Sequence, residues 1–92
     1  MKKIKWDNEK NRYLKEKRKI SFEDILFYIE KGNLLDIIRN PNSKKYPNQH
    51  LLVVEMKGYV YCVPYVEYQD EIFFKTIFPS RKLTKRYLGG KE

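Results

Sequence analysis

Four cations fall within six residues of one another: Arg81, Lys82, Lys85 and Arg86, in the stretch Ser80-Arg81-Lys82-Leu83-Thr84-Lys85-Arg86-Tyr87. Such a cluster suits a polyanion, and its arginines suit phosphate best, because the guanidinium is planar and always charged. The groups that could move protons beside it are His50, Glu55 and Tyr61. This palette fits cleavage of RNA without a metal, in which the substrate's own 2′-hydroxyl attacks. That reaction needs a base, an acid and cations to hold charge building on phosphorus. Arg81 is the first candidate for the scissile phosphate, with Lys82, Lys85 and Arg86 assisting. His50 has a reference pKa near neutrality and suits a general base. Tyr65, Lys75 and the pair Lys45-Tyr46 complete the candidate substrate contacts, since a cation next to an aromatic ring suits phosphate and base stacking.

Each candidate also has a plainer use. Arg81 could pair with Glu67 or Glu92, and His50 could be a surface residue at a strand start. Tyr61 and Tyr65 could pack in the core. Glu55 could be a carboxylate on an open face with Lys75 as its partner. Other chemistries have little support. There is no Walker loop and no glycine-rich dinucleotide turn. One histidine and one cysteine, Cys62, give no metal-ligand cluster and no intramolecular disulfide. No cofactor is expected, and Cys62 in Val60-Tyr61-Cys62-Val63 reads as a packed strand residue.

The elements that must position these residues can be read in order. Lys3 to Trp6 alternates as a short edge strand. Asp7 is a fair N-cap for a charged helix over 8–18, docked by Tyr13, Leu14 and Trp6. Ser21-Phe22-Glu23-Asp24 resembles a capping box. Phe22, Ile25, Leu26 and Ile29 then follow the spacing of a buried helix stripe over 22–31, which Gly32 would end. Phe27 and Tyr28 of that helix read as packing residues. A strand follows over 34–39, and 40–49 is a turn-rich loop. His50 to Lys57, Gly58 to Glu67 and Glu71 to Phe78 form an antiparallel meander with a tight turn at Lys57-Gly58. Alternation puts Leu52, Val54, Met56, Tyr59, Tyr61, Val63, Tyr65, Ile72, Phe74, Thr76 and Phe78 on one face. The other carries Leu51, Val53, Glu55, Val60, Cys62, Val66, Phe73, Lys75 and Ile77. One face must meet the helices, and the other is expected to stay partly open as a partner surface. Pro79 should end the last strand, and Ser80 should cap a short basic helix. Residues 88–92 read as a frayed tail.

The 92 residues suffice for one domain, 1–92, and no more. Lysine and arginine number 20 against 12 acidic residues, a formal charge of +8. That imbalance points to nucleic acid, an acidic protein or an anionic surface as partner. No apolar run is long enough to span a bilayer, so no membrane role is expected. The lysine-rich start lacks the apolar region of a signal peptide, so a cytoplasmic location is expected.

Three segments in order resemble a known family. Lys5-Trp6-Asp7-Asn8-Glu9-Lys10 is similar to the opening of BrnT-type toxins. Ile20-Ser21-Phe22-Glu23-Asp24 is similar to the start of their second helix, and Ser80-Arg81-Lys82-Leu83-Thr84 to their closing segment. Tyr87 and Leu88 stand where those chains usually carry an acidic residue and more charge. Arg18-Lys19 replaces a histidine often found after their first helix, and the 40–49 loop is not their usual connection. The resemblance implies an α+β, RelE-like fold: two N-terminal helices on a twisted antiparallel sheet of about four strands, then a short C-terminal helix. It implies the toxin of a type II toxin–antitoxin system, an endoribonuclease that inhibits translation. Its partners would be RNA and a cognate antitoxin, a small DNA-binding protein through which alone operator DNA would be reached. Arg81 matches the family's C-terminal arginine, followed by Lys82. An RNA-binding protein without catalysis, or a protein-interaction module for an acidic partner, is the alternative.

Overall fold

The computed structural model describes residues 2–89. The chain runs β1 (Lys3–Lys5), α1 (Asn8–Arg18), α2 (Phe22–Glu30), β2 (Leu34–Arg39), β3 (His50–Met56), β4 (Tyr59–Tyr68), β5 (Glu71–Phe74), β6 (Phe78–Pro79) and α3 (Arg81–Leu88). The fold is α+β, with three helices on a six-stranded sheet. The sheet is thus larger than the expected four antiparallel strands. The sheet order is β1-β5-β4-β3-β2, with β6 also on β4, and it is mixed because β1 runs parallel to β5. No described helix is long and apolar enough to cross a membrane.

The helix starts follow local chemistry. The Asp7 carboxylate accepts the Glu9 N–H at 3.0 Å, which satisfies one of the unpaired donors of α1. Ser21 and Asp24 close a full capping box: the serine Oγ accepts the Asp24 N–H, and the aspartate accepts the Ser21 N–H. Gly32 takes φ 93° just past α2, a backbone region that glycine enters without steric cost. Tyr13 does not dock α1 as expected, being 49% exposed. Leu14 and Asn11 are the buried residues of that helix, and Arg18 donates to the Ile77 carbonyl at 2.7 Å.

Both faces of the sheet are covered. On the first, Leu14, Ile20, Phe22 and Ile25 pack against Leu52, Val54, Val63 and Phe74. Trp6 stacks on Phe22 and Phe74 at 5.3 and 6.2 Å, tying the segment after β1 to this core. On the second face, Leu83 of α3 is buried with Leu51, Val53, Val60 and Cys62. The expected open face is therefore occupied by the last helix.

The alternation read from sequence holds through Phe74 and then fails. The expected strand over 71–78 is two strands, pairing Phe74 with Tyr65 and Phe78 with Cys62. Four steps along this chain thus oppose three along β4, so one extra residue is accommodated between them. Ile77 consequently joins the first core and Phe78 the second, the reverse of the expectation. Pro64 lies opposite the irregularity. It has no N–H to give, and its carbonyl accepts the Lys75 N–H at 2.8 Å.

Candidate nucleic-acid interface

β6 delivers α3 across the second face. The Ser80 N–H donates to the Val60 carbonyl at 2.9 Å, and the Ser80 Oγ caps Leu83 N–H at 3.1 Å. Thr84 Oγ1 donates to the Ser80 carbonyl and accepts the Val60 N–H at 2.8 Å. The N-terminal turn of α3 is thus fixed to β4. At its other end, the Tyr87 hydroxyl donates to Asp36 of β2 at 2.6 Å. That bond holds the Asp36 carboxyl below its usual range and pushes the Tyr87 phenol up.

With Leu83 turned to the sheet, the helical period divides the four cations. Arg81 and Lys85 line one flank with Tyr59, Pro79 and Thr84, in an open depression of about 590 Å³. Lys82 and Arg86 line the other flank, over a cleft floored by Leu51, Cys62 and Phe78. The two pairs border different recesses but meet on the outer face of the helix, where Lys82 and Lys85, three positions apart, are neighbours. Among the described residues none of the four is in an ion pair; the two ion pairs are Lys2–Glu67 and Lys5–Glu71. Glu67 is thus taken by Lys2, and Glu92 lies outside the described residues, as does the tail from 90 onward.

The proton-transfer candidates do not gather at Arg81. His50 is exposed at the start of β3, its ring stacked on Tyr65 at 5.9 Å. Tyr65 is buried, and that burial pushes its phenol up. Glu55 lies five residues further along β3, about 16 Å away by strand rise. Both of its oxygens are engaged: Asn33 Nδ2 donates to one at 3.0 Å, and Gly58 N–H donates to the other at 2.8 Å. Glu55 is a cap for the β3–β4 turn, paired with Asn33 rather than Lys75. Lys75 instead sits over the Phe73 ring at 5.1 Å and shares a cleft with Tyr46. Lys45 lies over the Tyr46 ring at 5.5 Å. Lys45, Tyr46, His50, Tyr65 and Lys75 therefore belong to the end of the sheet away from Arg81.

No family model, curated protein or solved structure matches the chain.

Tyr61 does reach the Arg81 end. It pairs with Pro79 across β4 and β6, and its ring meets Tyr59 edge-on at 5.9 Å. Tyr59 is the residue that sequence reading missed. Alternation places it only on a sheet face with Tyr61 and Tyr65, but β6 pairs only with Tyr61 and Cys62 and so leaves Tyr59 beside the mouth of the depression. Its place opposite Met56, next to the Lys57-Gly58 turn, was the available signal. The arrangement offers two cations for a phosphate and an aromatic pair on which a base can stack. Cys62 is buried as expected, and burial pushes its thiol to about 11, so it is no nucleophile at neutral pH.

Proposed function

We propose that the chain is a toxin-type protein that binds single-stranded RNA along the Arg81 flank of α3 and cleaves it. One observation carries this reading: Arg81 and Lys85 stand together on an open flank with Tyr59, with no acidic partner among the described residues. Support also comes from the element order, two helices before the main strands and a basic helix after them, and from the three BrnT-like motifs. Arg81 is the group that holds the scissile phosphate and the charge growing on it. Lys85 neutralises the neighbouring phosphate, and Tyr59 and Tyr61 stack bases or relay a proton. Lys82 and Arg86 extend the phosphate track on the far flank. In this reading the protein works in the cytoplasm, and a cognate DNA-binding antitoxin neutralises it.

The test is cleavage of a labelled single-stranded RNA in the presence of chelator. Arg81→Ala should lower the rate by about a hundredfold or more, with the circular dichroism spectrum unchanged. Equal rates for the variant and the parent would overturn the assignment.

A second reading is binding without cleavage. It is favoured by the distance of His50 and the commitment of Glu55, which leave a tyrosine as the nearest proton carrier. Salt-sensitive binding with intact RNA recovered would select it. Tight binding to an acidic protein with no RNA affinity would select a protein-interaction module instead.

A further inference from the structure

A further recess, of about 220 Å³, lies where the α1–α2 turn, α2 and the β3–β4 hairpin meet. Three aromatic rings line it, Phe27, Tyr28 and Tyr61, and three cations, Arg18, Lys19 and Lys57. Its volume is below that of clefts for drug-sized ligands and suits one planar ring.

Phe27 is 56% exposed, although it stands in a helix whose apolar stripe is otherwise used for packing. Its ring meets Tyr28 edge-on at 5.2 Å, and the Lys31 ammonium lies 5.5 Å from both rings. The lysines of the recess are held in costly backbone. Lys19 has φ 57° and Lys57 has φ 55°. Both are left-handed positions where glycine or asparagine is the cheaper residue, at a helix C-terminus and in a two-residue hairpin turn. Of the three non-glycine residues in that region among the described residues, two line this one recess; the third, Gln69, is in the β4–β5 turn. Strained backbone that carries a charged side chain is found at functional sites. Arg18 is held by its bond to the Ile77 carbonyl. The one acid in the lining, Asp24, is engaged in the capping box of α2.

We propose that this recess is a nucleobase subsite for single-stranded RNA, in which a base stacks on Phe27 and Lys19 and Lys57 hold the phosphates beside it. The proposal rests on the RNA reading above and deepens it. Tyr61 lines this recess and Tyr59 lines the Arg81 depression, and their rings are 5.9 Å apart. A strand held at Arg81 and Lys85 therefore crosses the tyrosine pair and places its next exposed base here.

The experiment measures binding of a fluorescein-labelled, mixed-sequence single-stranded RNA to the full chain by anisotropy. Phe27→Ala should weaken binding about tenfold, the worth of one stacked base. Lys19→Gly and Lys57→Gly should each weaken it while leaving the melting temperature unchanged or raised, because glycine relieves the left-handed backbone. A merely structural lysine would not give that combination. An oligonucleotide with abasic positions should bind the parent about as weakly as intact RNA binds Phe27→Ala. Unchanged affinity in Phe27→Ala and in both glycine variants overturns the subsite. If binding is still lost in Arg81→Ala, only the subsite falls; if the parent has no RNA affinity, the RNA reading falls with it.

Discussion

Asn11 ties the two N-terminal helices together. Its Oδ1 accepts the Phe22 N–H at 2.8 Å, and its Nδ2 donates to Glu23 at 2.8 Å, with the residue only 5% exposed. The first bond satisfies a buried donor at the start of α2 that water does not reach. Asn11→Ala would leave that N–H without an acceptor and should cost about 1–3 kcal/mol in urea unfolding at neutral pH. The second bond is the main reason the Glu23 carboxyl titrates below its usual range. A carboxylate held low in the folded state adds stability above its unfolded pKa. That contribution is lost as pH falls through the folded value. The parent should therefore lose more stability on acidification than Asn11→Ala does. The difference should be small, since Glu23 is exposed and screened by solvent. Residues of this kind divide by reach. Asp7, Ser21 and Ser80 act within a turn of chain, and their capping roles were legible in sequence. Asn11 acts across eleven positions and Glu55 across twenty-two, so nothing local announced them. The glutamate read as a base candidate is a turn cap for that reason.

At the scale of elements, α3 is both a lid on the second core and the carrier of the Arg81 flank. Leu83→Ala should destabilise the protein by about 2–3 kcal/mol by opening a cavity over Val53, Val60 and Cys62. The same change should speed labelling of the Cys62 thiol by a thiol reagent, because α3 covers it. Labelling at the parental rate would show that the helix is not the cover. The helix itself, its cap and its cations were readable from Ser80 to Tyr87. Its division into two cationic flanks follows from the helical period once Leu83 is assigned inward. The parallel pairing of β1 with β5 was not readable, because it joins positions about seventy apart through shared contacts of Trp6 rather than a local pattern.

For the whole molecule, a charge of +8 makes salt the broadest test of the RNA reading. On single strands each neutralised phosphate adds about 0.7 to the slope of log affinity against log salt. Arg81→Ala should reduce that slope by about this amount, and so should Lys85→Ala. A slope that does not change would mean these cations touch no phosphate. Charge bears on the proposed class of partner but not on the place of contact: the twenty cations are scattered over β1, α1, β2, α3 and the connections, and only the three-dimensional arrangement separates those beside aromatic rings from the rest.

The supernumerary residue between Phe74 and Phe78 acts as a switch of parity. Removing one position there, for instance Thr76, would restore simple alternation and turn Phe78 toward the layer of α1 and α2. The last helix would then have to leave the sheet on the side those helices already fill. An odd count in one short connection thus decides which hemisphere of the protein presents its closing cations to the outside.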